Sequence, residues 1–252
     1  MLLRLSFVTL VLATPVLAAE SVRDLYVRGD YAAAIRAGEA ENTAVALAEA
    51  ARAAIADAQM QDRPCLACLA RAEDLSRRAV TMDAGNIEGQ VLFAVAVGLE
   101  ARIVKTLRAK VNRYPEQAKE ALDKAVALAP NHGAALAAMG AWHIEVMRNG
   151  GMLGTIMYGA DVETGRNFYH RGIAADPGNL VLPYQFALSL AGIDFDKYRV
   201  EVGVLLDTAS KGTPRTSYEA ALRTRVVELA ALLKGGRTRE LAGLVRKYQG
   251  YP

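Results

Sequence analysis

Strand signals are nearly missing from this chain. Clusters of β-branched residues with alternating polarity are scarce across its 252 residues, which argues against sheet-based folds. Aromatics are also scarce, at 6%, with one tryptophan, and much of the 52% apolar content is alanine. Small residues at many helix-facing positions suit closely packed helices rather than a sheet core. Cysteine is confined to one pair, Cys65 and Cys68. Beyond the N-terminus no stretch of about 18 apolar residues runs without a charge, so no membrane span is expected. There is no nucleophile elbow, phosphate loop or zinc-protease motif, and His132, His143 and His170 follow no metal spacing. These absences point away from catalysis, and they imply no cofactor and no metal.

The first residues do carry a signal. Arg4 supplies a basic start, Leu5 to Leu17 an apolar run broken by Pro15, and Val16-Leu17-Ala18 a small-residue cleavage pattern. Residues 1–18 therefore read as a signal peptide and 19–252 as one exported helical domain, placed in a bacterial periplasm. The apolar run is short for a membrane anchor, and no cysteine follows the cleavage site to take a lipid. Losing Arg4 leaves 29 basic residues against 27 acidic, a net charge of +2. That near balance gives no electrostatic case for nucleic acid.

One spacing recurs along the chain. Ala118, Leu122, Ala125 and Pro130 set a pattern that Gly165, Tyr169, Gly172 and Pro177 repeat. Ala72, Ser76, Ala79 and Ala84 repeat it more weakly, and Val202, Leu206, Ala209 and Pro214 give a fourth trace. Small residues are needed where helices cross closely, and the closing Pro or Gly-Asn stops one helix before the next. Ten residues after Ala84, Pro130 and Pro177 stand further small residues, Ala94, Gly140 and Ala187. These positions resemble those of tetratricopeptide (TPR) repeats, from about Tyr31 to Pro214. The units are long: 46 residues separate Ala84 from Pro130, and 47 separate Pro130 from Pro177. A TPR unit has about 34, so about 12 or 13 residues are inserted in each. The first insertion is expected to extend a helix from about Ile87 toward Arg113. The second contains the helix-breaking Gly150-Gly151. After Pro214 two more helices are expected, split by Gly235-Gly236. Elongated, degenerate units of this kind resemble the periplasmic T-component of TRAP-type solute transporters and bacterial relatives of the RMD group. The resemblance implies an all-α, TPR-like solenoid of about four helix pairs with insertions.

Three constellations admit a functional and a plainer reading. Pro64 places Cys65-Leu66-Ala67-Cys68 at a helix start. In an oxidising compartment the pair can close a disulfide. A redox role would need a thioredoxin-like βαβ setting, which is missing. Arg102, Lys105, Arg108, Lys110 and Arg113 run without an intervening acid. They form either a solvated helix face or a docking face for an acidic partner or anionic lipid headgroups. Met147, Met152 and Met157 recur every five residues, a spacing that spreads around a helix, so they read as flexible filler rather than copper ligands.

The resemblance also locates a concave groove, lined by first helices: Glu88, Val91 and Val95, then Ala134, Ala137, Ala141 and Glu145, then Val181, Tyr184 and Leu188. It is apolar and lightly acidic, which disfavours capture of a C-terminal carboxylate. Either it is filled as core or it takes an apolar ligand or a partner's helix. Trp142, His143, Glu145, Tyr158 and Tyr184 are the candidate pocket residues. The insertion carries Met147, Met152, Leu153, Ile156, Met157 and Tyr158, an apolar set that needs burial; if it closes over the groove as a lid, Trp142 and Tyr184 form the floor of a pocket. The plainer reading makes Trp142 a core anchor. The expected function is a non-catalytic interaction scaffold for protein partners in the cell envelope. The alternative is a T-component-like accessory protein binding an apolar small molecule or a transporter component.

Overall fold

The computed structural model describes residues 20–104 and 106–252, and the signal-peptide reading of 1–18 lies outside them. Those residues form thirteen helices and no strand. They are α1 (Val22–Arg28), α2 (Tyr31–Glu41), α3 (Ala44–Met60), α4 (Leu66–Met82), α5 (Ile87–Ile103), α6 (Thr106–Val111), α7 (Tyr114–Leu128), α8 (Gly133–Gly150), α9 (Met152–Tyr158), α10 (Val162–Ala175), α11 (Val181–Lys211), α12 (Ser217–Lys234) and α13 (Thr238–Tyr248).

Local chemistry sets most of these boundaries. Ser21, Asp30, Thr43, Asn86, Asp161 and Thr216 each accept the backbone N–H three residues on, satisfying a donor that the first helical turn leaves free. Gly29, Gly151 and Gly159 end helices with φ of 91°, 52° and 65°, a region glycine enters without steric cost. The Gly150-Gly151 break and the Gly235-Gly236 break both fall where the sequence places them.

The first insertion departs from expectation. A single helix from Ile87 toward Arg113 does not form. Ile103 is the last apolar residue of α5 with core partners, and the chain turns extended at Val104 (φ −80°, ψ 157°) before the short α6. The pairing is also more extensive than four pairs. α1–α2, α3–α4, α5–α7, α8–α10 and α12–α13 each pack together, and α11 is kinked into two halves at Asp194. The kink carries neither proline nor glycine at its centre. Asp194 instead restarts the helix by accepting the N–H of Lys197 at 3.0 Å.

The recurring small residues lie at the helix crossings. Ala72, Ala79, Ala118 and Ala125 are buried. A Cβ on Gly140 would sit 2.6 Å from the Gly165 carbonyl oxygen, and one on Gly165 would sit 2.9 Å from the Gly140 oxygen. The α8–α10 backbones can therefore meet only because both positions lack side chains.

The inner helices make a circuit. α1, α3, α5, α8, α11 and α12 contact one another in that order, and α12 returns to α1. The outer members α2, α4, α7 and α10 cover them. Val22, Leu25 and Tyr26 of α1 share one core cluster with Tyr218, Leu222 and Val226 of α12. Across the same closure Tyr218 donates to the Gln59 side chain, and Arg225 donates to the Gln59 carbonyl at 2.9 Å. Among the described residues no helix is long and apolar enough to cross a membrane.

Candidate functional site

The expected groove lines the inside of this circuit, and the chain's own C-terminus closes one end of it. Val91, Ala137, Tyr184 and Leu188, four of the lining positions, are buried. Gln249 is 2% exposed and meets the groove at Leu188. Its amide nitrogen donates to the Leu188 carbonyl at 3.0 Å and its amide oxygen accepts from Arg148 at 2.6 Å. Its backbone carbonyl accepts from Arg102 at 2.9 Å. Two residues on, the Tyr251 hydroxyl donates to Glu145 at 2.6 Å, while the Arg148 guanidinium lies 4.3 Å from its ring centroid. Arg102 and Glu145 also pair directly at 3.1 Å. The tail is held by buried charge-assisted hydrogen bonds, which are about twice as strong as neutral ones.

The candidate pocket residues do not converge on one cavity. Trp142 is buried among Phe93, Val97, Leu122 and Met139, and its indole nitrogen donates to the Pro115 carbonyl at 2.8 Å. Tyr184 lies in the separate cluster around Phe186 and Leu190. Burial pushes its phenol far above the usual tyrosine range. His143 is buried beside Trp142. Burial, with the Lys119 charge, pulls its imidazole below the ordinary value, so its Nδ1 is free to accept the Asp161 N–H at 3.2 Å. Glu145 serves the tail. Tyr158 is half-buried at the edge of the Trp142 cluster.

The insertion around α9 is not a lid. Gly154 lies so close to α8 that a Cβ there would meet the Val146 carbonyl oxygen at 2.9 Å, which turns the opposite face of α9 outward. Met152, Leu153, Ile156 and Met157 are exposed on that face. The basic segment divides likewise. Arg102 turns inward to Glu145 and Gln249, because its partners come from other helices, and so leaves the proposed docking face. Arg108, Lys110 and Arg113 remain exposed, and Lys105 lies outside the described residues. Cys65 and Cys68 stand at disulfide distance, with the Cys65 sulfur also accepting the Cys68 N–H at 3.2 Å.

One cleft remains. It has a volume of about 450 Å³ and lies between the C-terminal ends of α3 and α5 and the end of α13, with Leu69, Leu99 and Ile103 on its wall and Arg246 and Tyr248 opposite. Cys65 stands at its side. Sequence reasoning passed over Gln249, Tyr251 and Gln59, the residues that close one end of the groove and join the circuit. Their partners lie 61 to 166 residues away, so no local spacing marks them. No cluster of three or more His, Cys, Asp or Glu side chains able to hold a metal occurs among the described residues.

The described residues form an all-helical, repeat-like array of paired helices whose inner surface is closed at one end by the C-terminal tail. No family model matches the chain, and no curated protein is significantly similar to it.

Proposed function

We propose that this chain is an exported, non-catalytic, TPR-type scaffold of the bacterial cell envelope that holds protein partners on its outer surfaces. One observation carries the reading: the groove through which such repeats take ligands is buried at Tyr184 and Leu188 and closed at one end by the Gln249–Tyr251 tail. A groove closed in this way favours the convex helices and the inserted segments as binding surfaces. The TPR resemblance supports the architecture, and the leader at residues 1–18 supports export.

The test is native mass spectrometry of the protein purified from its own host. The expected species is the chain cleaved after Ala18 with a bound protein partner. A stoichiometric small molecule with no protein partner would overturn the reading and favour the second one, a T-component-like solute- or lipid-binding accessory protein. That alternative is supported by the cleft of about 450 Å³, whose apolar wall and basic rim suit an amphiphile.

A further inference from the structure

Two inserted segments lie at the same end of the helix pairs. α6 joins α5 to α7, and α9 joins α8 to α10, so both sit where an inner helix hands over to an outer one. Tyr114, just after α6, and Tyr158, at the end of α9, pack against the same cluster around Trp142. The two insertions therefore lie at one end of the molecule, on the two sides of that cluster, and together bound its surface patch there.

The halves of that patch differ in chemistry. Asn149 to Ala160 contains no charged residue. Met152 and Ile156 are 78% and 70% exposed, with Leu153 and Met157 beside them on one helix face. Across the patch Arg108, Lys110 and Arg113 are exposed, with Val111 between them at 72%. Arg102 and Lys119 have carboxylate partners, whereas these three cations pair with none among the described residues. Of the acids nearest the patch, Asp161 caps α10 and Glu163 pairs with Arg166 at 2.5 Å, while Glu116 in the first turn of α7 is half-buried, with one side-chain oxygen enclosed.

We infer that this end of the molecule docks on an anionic phospholipid bilayer, going beyond the scaffold reading and independently of it. The α9 face inserts shallowly at the headgroup boundary, and the α6 cations meet lipid phosphates. A short uncharged apolar face beside unpaired basic residues supplies the two signals, apolar and polybasic, that reversible peripheral binding needs. The apolar face protrudes rather than forming a groove, so it suits a fluid surface better than a partner's helix, and its flanking charge matches anionic lipid.

The test is cosedimentation of the exported, processed protein, free of its apolar leader, with phosphatidylcholine vesicles and with vesicles that also contain phosphatidylglycerol. Binding is expected only to the mixed vesicles, and it should weaken as salt rises. Met152→Ser with Ile156→Ser should weaken it at least about tenfold. Arg108→Gln and Lys110→Gln should each weaken it about fivefold and flatten the salt dependence. All four side chains are exposed, so wild-type melting temperatures should accompany these losses. Four results would overturn the proposal: no binding to mixed vesicles, equal binding to phosphatidylcholine alone, variants that bind like wild type, or a wild-type dimer that Ile156→Ser dissociates. The last would show that the face is covered by a second copy.

Discussion

Trp142 shows how a single side chain is tied down from several directions. It is buried among residues of α5, α7 and α8, and its one polar atom is satisfied by the Pro115 carbonyl. Trp142→Ala should cost about 3–5 kcal/mol, combining lost burial, a cavity and an orphaned carbonyl, and thermal melting will read it directly. Glu88 makes a different kind of prediction. It meets Arg52 and, at 3.2 Å, His132. Burial pushes its carboxyl up, but the His132 hydrogen bond and the Arg52 charge outweigh that and hold it at about 2, below the ordinary 4.5. The Glu88 hydrogen bond raises His132 above 6.5, against the opposing effect of burial. A lowered carboxyl stabilises above pH 4.5 and stops doing so as pH falls through about 2, while a raised imidazole stabilises below pH 6.5 and stops as pH rises through its folded value. The bridge is therefore strongest between the two. Glu88→Gln should lower the melting temperature most at about pH 5.5, and less at alkaline pH where only Arg52 remains charged. An equal difference at both pH values would refute the His132 contribution. Glu88 was legible in the sequence as a groove-lining position, but its partners lie 36 and 44 residues away on other helices, and helical periodicity says nothing about them.

At the scale of helices, the small-residue spacing was the informative signal. It marked where α8 and α10 come together, and the structure places Gly140 and Gly165 there with their backbones in near contact. Gly165→Ala should separate these helices and cost about 1–3 kcal/mol, despite alanine's better helix propensity. A stabilised variant would show that the crossing has room. The Cys65–Cys68 pair illustrates the opposite case, a conspicuous motif of small energetic weight. A bridge across three positions restricts little unfolded chain, so Cys65→Ser with Cys68→Ser should cost about 2 kcal/mol at most. Two elements depart from the sequence pattern for one reason. α5 stops short of Arg113 and α9 is no lid, because an apolar or helical pattern tells which faces want cover, not whether cover is present. Val104 lies beyond the last core contact, and Gly154 fixes α9 with its apolar side outward.

For the molecule as a whole, the tail is the feature to test. Gln249 makes three buried hydrogen bonds, two of them from the guanidiniums of Arg102 and Arg148. Gln249→Ala removes its side-chain bonds and leaves part of the buried Arg148 guanidinium without a partner. It should cost about 2–4 kcal/mol, measured by denaturant unfolding. Hydrogen exchange should accelerate on the inner faces of α8 and α11 before it does on α2 and α4. None of this was readable from the sequence, where Gln249-Gly250-Tyr251-Pro252 looks like an ordinary chain end. The joining of α12 to α1 has a further consequence, for ancestry. Open helical arrays lengthen and shorten freely, because a duplicated unit finds the same neighbour as its parent. Here Tyr26 must meet Tyr218, and Gly29 must admit Ser217, after a fixed number of turns. Gaining or losing one unit would carry the two ends past each other, so an ancestor or descendant with a different number of helix pairs could not keep this closure, whereas the connecting segments can change without disturbing it.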